Sequence, residues 1–79
     1  MSTIIESDEI EEFHKLIGRN VKRIREARKF TQMQLSLAIG QKSTTIISQA
    51  EIGTKKHFNI EQLYKISKVL NCDIREFFE

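Results

Sequence analysis

The stretch from Thr31 to Gly53 constrains the fold most, because its local signals specify two short helices separated by a tight turn. Thr31 is suited to cap a helix, and Gln34 follows three residues later, as in a capping box. Gly40 can end that helix in the left-handed conformation. Ser43 is placed to cap a second helix that begins there. We therefore predict a helix-turn-helix over about residues 31–51.

The second helix has two chemically different faces. At about 100° per residue, one side is apolar and can pack on the first helix. The other side carries short polar side chains without charge, namely Thr44, Thr45, Ser48 and Gln49. Hydroxyl, amide and methyl groups of this kind suit contacts with base edges in the major groove. An ordinary polar surface has the same composition, so the helix alone leaves both interpretations open.

From about Gly18 to Phe78 the sequence resembles the phage-repressor type of helix-turn-helix domain, the Cro-like or XRE family. The resemblance rests on residues that occur in the family's order and at nearly its spacing: Val21, Ile24, Arg25, Phe30, Thr31, Gln32, Leu35, Ile39, Gly40, Ser43, Ile47, Glu51, Gly53, Leu63, Ile66, Leu70 and Asp73. It implies an all-α fold, a compact five-helix bundle of the lambda-repressor-like type that binds DNA. The absence of proline and of alternating Val/Thr-rich segments agrees with an all-α chain.

The resemblance also implies roles for individual residues. Thr44, Thr45 and Gln49 match the base-contacting positions, with Ser48 beside them. The residues expected near DNA phosphates are Gln32, Lys42, Ser43, Lys55 and Lys56. Arg25 and Glu51 match an ion pair that joins the first and third helices. The turn is one residue longer than the common family pattern, which affects how the third helix is presented.

Charge is distributed unevenly along the chain, although the net charge is only +2. Residues 1–14 carry five acidic residues and no Lys or Arg, whereas residues 15–56 carry a net charge of +8. The positive charge therefore lies in the segment that holds the helix-turn-helix, as a phosphate-binding surface requires.

The first helix is expected to be longer at its N-terminus than is usual in the family. We predict a flexible acidic arm over residues 1–9, a domain over residues 10–79, a cap formed by Asp8 with Glu11, and a helix end near Lys29. The extension either packs on the domain or serves a protein partner, and its acidity should keep it away from DNA. Its apolar stripe is Ile10, Phe13, Ile17, Val21 and Ile24.

Two further groups of residues leave alternatives open. Ser36 takes a place usually held by Ala, and it should fit if its hydroxyl bonds back to the helix. Met33 and Leu37 are expected to pack against the N-terminal extension, with a dimer surface or simple exposure as alternatives. Further caps are expected at Asn59 with Gln62 and at Asp73 with Glu76. The last helix carries residues that either complete the core or form a dimer contact, namely Ile74, Phe77 and Phe78.

The sequence offers little for catalysis or cofactor binding. A single cysteine, Cys72, and two separate histidines provide no metal site, and no carboxylate pair or Gly-rich phosphate loop organises a reaction. We therefore expect no enzyme activity, no cofactor and no metal. No apolar run is long enough to span a membrane, so the expected location is the cytoplasm of a bacterial or phage-infected cell, at the nucleoid.

These observations support two hypotheses of different classes. The first is a sequence-specific regulator of transcription that binds double-stranded DNA, as a homodimer on a palindromic operator. The second is a protein-interaction module, an antitoxin or adaptor, that uses the acidic arm and the exposed apolar residues. The uncharged face of the second helix beside Lys55 and Lys56 favours the first, because a domain that binds only protein has no need of it.

Overall fold

The computed structural model describes residues 6–79, which form four α-helices followed by one 3₁₀ helix. The helices are α1 (Ser7–Ala27), α2 (Gln32–Ala38), α3 (Thr45–Ile52), α4 (Ile60–Val69) and the 3₁₀ helix (Ile74–Phe78). Within this part of the chain there is no strand, so the all-α prediction is confirmed. The expected count of five α-helices is not met, because the last element is a 3₁₀ helix.

The predicted capping boxes of the later helices are confirmed. At α2, the Thr31 hydroxyl accepts a hydrogen bond from the Gln34 N–H at 3.0 Å, and Gln34 Oε1 accepts one from the Thr31 N–H at 2.8 Å. Asn59 with Gln62 and Asp73 with Glu76 make the same reciprocal pattern. These side chains satisfy backbone N–H groups that the first turn of a helix leaves free, so local sequence fixes where these helices begin.

The predicted start of α1 was wrong, whereas its end lies within two residues of the predicted position near Lys29. The N-cap is Glu6 rather than Asp8, and the Glu6 N–H donates to Glu9 Oε2 at 3.3 Å. Ser7 and the two residues after it therefore belong to the helix and not to the predicted arm of residues 1–9, whose first five residues lie outside the described part. At the other end α1 stops at Ala27, because Lys29 adopts a left-handed backbone with φ of 65°.

The turn after α2 has the predicted left-handed glycine. Gly40 has φ of 89°, its N–H donates to the Leu37 carbonyl, and the Gln41 N–H donates to the Ser36 carbonyl at 2.8 Å. This is the Schellman arrangement, which satisfies the last carbonyls of a helix. It directs the chain away from the axis of α2.

The core forms where α1 crosses α3 and where the 3₁₀ helix packs on α1. Gly18 makes the crossing close, because a Cβ placed there would lie only 2.5 Å from the Ala50 carbonyl oxygen. The core side chains with almost no exposed surface are Val21, Leu35, Ile47, Ala50, Ile66, Leu70 and Phe77. The backbones of α1 and α3 therefore approach directly, without an intervening side chain.

Phe77 was wrong as a candidate dimer contact, because it has no exposed surface. Its carbonyl accepts a hydrogen bond of 3.0 Å from the buried Asn20 Nδ2, which ties the 3₁₀ helix to α1. Ile74 is partly buried and also packs against the core. Phe78 keeps 37% of its surface exposed. The two adjacent phenylalanines thus divide between the core and the surface.

The N-terminal half of α1 extends beyond the core. The apolar stripe is buried at Ile17, but Ile10 and Phe13 are 49% and 48% exposed. Phe13 stacks on Phe78, with ring centroids 6.1 Å apart and ring planes 21° apart. The extension is therefore held at its base by an aromatic contact, while its first turns remain in solvent.

A second ring contact joins α1 to the loop that follows α3. The imidazoles of His14 and His57 are nearly parallel, at 4°, with centroids 3.6 Å apart. The pKa of His14 lies below its ordinary value because burial disfavours the charged imidazole and because His57 repels its charge. The contact therefore favours the neutral form of His14.

Ser36 and the exposed residues of α2 depart from the predicted packing. Ser36 is fully buried, and its hydroxyl is the one buried side-chain polar atom among residues 6–79 without a hydrogen-bond partner. The expected bond back to the helix is absent. Met33 and Leu37 are 45% and 59% exposed, so the prediction that the N-terminal extension covers them was wrong.

Replacing Ser36 with Ala should stabilise the fold. The substitution removes a desolvated hydroxyl that has no partner, and this should raise the free energy of unfolding by about 1 kcal/mol. For a domain of this size the midpoint of thermal unfolding should rise by about 4–8 °C. Thermal unfolding followed by circular dichroism measures the change.

Ser67→Ala is the matched control for this prediction. Ser67 is also a buried helical serine, but its hydroxyl donates to the Tyr64 carbonyl at 2.7 Å. The gain in helix propensity from Ser to Ala is the same at both sites. Because Ser67→Ala also removes a hydrogen bond, it should raise the free energy of unfolding less than Ser36→Ala does. Equal changes in the two variants would show that the unpartnered hydroxyl carries no energetic cost.

Acidification should weaken the fold through His14. Its folded pKa is lower than the ordinary value of 6.5, so the unfolded chain binds more protons as the pH falls below that value. The free energy of unfolding should therefore be highest above the ordinary pKa of 6.5 and should decrease as the pH falls through the folded pKa. Unfolding midpoints measured between about pH 8 and pH 5 should fall less in His14→Gln than in the parent. Parallel curves would contradict the assignment.

Candidate nucleic-acid interface

The third helix begins two residues later than the sequence indicated. Its first residue is Thr45 and its N-cap is Thr44, so Ser43 lies in the preceding turn. The Ser43 hydroxyl accepts a weak hydrogen bond from the Thr45 N–H at 3.4 Å and donates to Thr45 Oγ1 at 3.2 Å. The physical cause is the longer turn, because the chain needs additional residues after the Schellman end of α2 before it can enter α3.

The exposed face of α3 carries uncharged side chains. Thr45, Ser48, Gln49 and Ile52 follow the i, i+3, i+4, i+7 spacing of one helix face. Thr45 is exposed, Ser48 and Gln49 are half-exposed, and Ser48 Oγ donates to the Thr45 carbonyl at 3.2 Å. The Gln49 amide makes no side-chain hydrogen bond within residues 6–79. Its donors and acceptor are therefore available to a ligand.

Ile52 is a member of this face that the sequence analysis missed. It is 65% exposed at the C-terminal end of α3. Its position seven residues after Thr45 was the available signal, because that spacing returns to the same face of a helix. An exposed aliphatic group in this place gives the face an apolar end.

A buried ion pair holds the opposite face of α3 against α1. Arg25 Nε donates to Glu51 Oε2 at 2.7 Å, and Arg25 Nη2 donates to Glu51 Oε1 at 3.1 Å. Both residues are 6% exposed. The third arm of the guanidinium, Nη1, donates to the Phe30 carbonyl at 2.7 Å. This bidentate geometry fixes the orientation of α3 relative to α1 and to the start of α2.

Gln32 is joined to the same network. Its Nε2 donates to Glu51 Oε1 at 3.0 Å, an interaction that the sequence analysis did not anticipate. Gln32 is the first residue of α2, and its side chain is half-exposed. The contact holds the Gln32 amide beside α3, where the helix-turn-helix faces solvent.

Lysines lie on both sides of α3 along the chain. Lys42 is exposed in the turn before the helix, and Lys55 and Lys56 are exposed in the loop after it. None of the three makes a salt bridge within the described part of the chain. In contrast, Arg25 is buried, and the Arg28 Nε donates to the Leu70 carbonyl at 2.9 Å. Arg25 and Arg28 therefore hydrogen-bond within the domain, whereas Lys42, Lys55 and Lys56 have no ion pair in this part of the chain.

The fold brings most of the predicted site residues into one region. Thr44, Thr45, Ser48 and Gln49 lie on or at the start of α3, Lys42 and Ser43 lie in the turn before it, and Lys55 and Lys56 follow it. Gln32 joins them through Glu51. The predicted dimer residues lie elsewhere, on the 3₁₀ helix.

Comparison with known proteins identifies the family. A family model described as helix-turn-helix matches residues 21–77, which is most of the chain and includes α2, the turn and α3. No curated protein and no solved structure matched the chain. The protein therefore belongs to the helix-turn-helix family of the phage-repressor (Cro-like, XRE) type, a family of DNA-binding domains.

Proposed function

We propose that this protein is a sequence-specific regulator of transcription that reads double-stranded DNA with α3. The observation that carries the proposal is the uncharged exposed face of that helix between surface lysines. In this proposal Thr44, Thr45, Ser48 and Gln49 contact base edges in the major groove. Gln49 is the most informative of them, because a free side-chain amide can bond an adenine at two points.

The residues around α3 position the protein on the DNA backbone. Lys42 and Ser43 from the turn, and Lys55 and Lys56 from the following loop, contact phosphates. Such contacts set register and orientation without reading sequence. Gln32 is proposed as a further phosphate contact. One of its amide hydrogens bonds Glu51, so the second hydrogen is the one available to a phosphate oxygen.

The regulator is proposed to act as a homodimer on a palindromic operator. A two-fold dimer would place the two α3 helices about 34–36 Å apart, one turn of DNA. The C-terminal residues predicted for the contact offer little surface, since Phe77 is buried, Ile74 is partly buried and Phe78 stacks on Phe13. The proposed dimer therefore needs a contact outside the 3₁₀ helix.

The remaining parts of the proposal concern context. Within residues 6–79, no helix is long and apolar enough to cross a membrane. We propose a cytoplasmic, nucleoid-associated role in a bacterial or phage-infected cell, without enzyme activity, cofactor or metal. The competing class, a module that binds only protein, gives no reason for the uncharged face of α3.

Selection of binding sites from a random duplex pool tests the proposal directly. At near-physiological salt the purified protein should enrich a palindrome whose half-sites are about one helical turn apart. Enrichment of a single half-site would keep sequence-specific binding but contradict the dimer. A folded sample that enriches nothing would contradict sequence-specific binding itself.

Gln49→Ala should reduce discrimination at one base position of the selected site. Loss of a bidentate base contact should cost about 1–3 kcal/mol against the preferred base. The measurement is a titration of the variant with the selected duplex, with single-base variants of it and with random duplex. If the affinities for the selected duplex and for random duplex fall by the same factor, Gln49 does not read a base.

Lys55→Ala should weaken binding to every duplex by a similar factor. A lost phosphate contact should also reduce the slope of log K against log salt by about one. Lys65→Ala is the matched control, because Lys65 is an exposed lysine on α4 that pairs with Glu61 at 3.2 Å. An unchanged salt slope in Lys55→Ala, or an equal change in the control, would remove Lys55 from the interface.

A further inference from the structure

Three half-exposed apolar side chains form a surface at the base of the α1 extension, which we call the Phe13–Phe78 patch. It consists of Ile10 and Phe13 from α1 and Phe78 from the 3₁₀ helix. The two rings stack with centroids 6.1 Å apart, and Ile10 lies one turn before Phe13. The patch has a well-defined shape, because Phe78 directly follows Phe77, which is anchored in the core.

The patch continues the buried stripe of α1 beyond the end of the core. Ile17 on the same stripe is 5% exposed, whereas Ile10 and Phe13 are 49% and 48% exposed. Along a surface helix, residues at this spacing normally face a partner. Within residues 6–79 no element covers Ile10 or Phe13, so the stripe is left open for about one turn.

Negative charge surrounds the patch. Glu6 and Glu9 each lie four residues before a patch residue, on the same face of α1, and neither makes a salt bridge within the described residues. The nearest base on the helix, Lys15, pairs with Glu11 and Glu12 at 3.9 and 3.5 Å. A basic partner would therefore gain from complementary charge, whereas an acidic one would be repelled.

A second copy of this chain does not fit the patch. Half of three large side chains amounts to on the order of 250 Å², whereas a stable interface buries about 800 Å² on each partner. Two copies meeting through the patch would also place their acidic turns against each other. The charge argument favours a basic partner, and the small area indicates a weak contact, such as that of a single helix of another protein.

The patch lies on the far side of α3 from its base-reading end. α1 runs antiparallel to α3, since Gly18 contacts Ala50 and Glu51, while His14 and Lys15 lie against Gly53. The extension therefore projects past the C-terminal end of α3, away from Thr44 and Thr45. A partner at the patch leaves the proposed DNA contacts of those residues free.

We propose that the Phe13–Phe78 patch docks a basic amphipathic helix of a partner protein. Apolar residues on one face of that helix contact Ile10, Phe13 and Phe78, and its Lys or Arg residues face Glu6 and Glu9. This is recognition of a helix by anchors at three- and four-residue spacing. The inference does not depend on which DNA sequence the protein binds.

The experiment uses the full chain and a fluorescent model helix of Leu and Lys, with Leu on one face and Lys on the other. Fluorescence anisotropy should show saturable binding, and NMR spectra of labelled protein should shift at Ile10, Phe13 and Phe78. Phe13→Ser should weaken binding about tenfold or more, because it removes the central anchor. Circular dichroism checks that the variant is folded, and its affinity for duplex DNA should be unchanged.

Matched controls separate docking from general attraction of a basic peptide. Leu37→Ser removes an exposed apolar residue of α2 and should leave peptide affinity unchanged. A peptide of the same composition in scrambled order should bind at least about tenfold more weakly. Removing two negative charges beside the patch, by Glu6→Gln with Glu9→Gln, should flatten the salt dependence of binding.

Three results would overturn the proposal. One is peptide affinity that is equal in the parent, Phe13→Ser and Leu37→Ser. Another is self-association in sedimentation that Phe13→Ser abolishes, which would assign the patch to a second copy. The third is occupation of the patch by residues 1–5, which would appear as tighter peptide binding once those residues are removed.

Discussion

The buried ion pair between Arg25 and Glu51 is the interaction on which the orientation of the helix-turn-helix depends. One guanidinium bonds both carboxylate oxygens of α3 and the Phe30 carbonyl before α2, and Gln32 bonds the same carboxylate. Three helices thus meet at one network of charged hydrogen bonds. Removal of either charge leaves the other buried without a partner, which costs about 3–5 kcal/mol.

This network requires a close approach of α1 and α3, and Gly18 provides it. With no Cβ at this position, the α1 backbone lies against the Ala50 and Glu51 carbonyls. The glycine allows the two backbones to approach closely, and the ion pair holds α3 against α1 at that distance. Loss of activity on substitution at Gly18, Arg25 or Glu51 would report a displaced α3 and not a lost DNA contact. The substitutions that test readout belong on the opposite face, at residues such as Gln49.

The same packing divides the charged and apolar surface into regions. Arg25 and Arg28 hydrogen-bond to other parts of the domain, whereas Lys42, Lys55 and Lys56 make no salt bridge among residues 6–79. The acidic turns of α1 project past the C-terminal end of that helix. The domain therefore has a basic region suited to phosphates. It also has the Phe13–Phe78 patch, whose apolar side chains and neighbouring acidic residues are suited to a basic protein segment.

Local sequence determined the caps of α2 and α4, the Gly40 turn, the uncharged face of α3 and the segregation of charge, because each depends on neighbours within a few residues. The tertiary structure alone decided that the Ser36 hydroxyl is buried without a partner and that Gln32 bonds Glu51. It also decided that Phe77 enters the core while Phe78 stays outside with Phe13. These outcomes depend on which distant surfaces meet, and periodicity does not contain that information: a stripe shows where a side chain points, whereas burial requires another element to cover it.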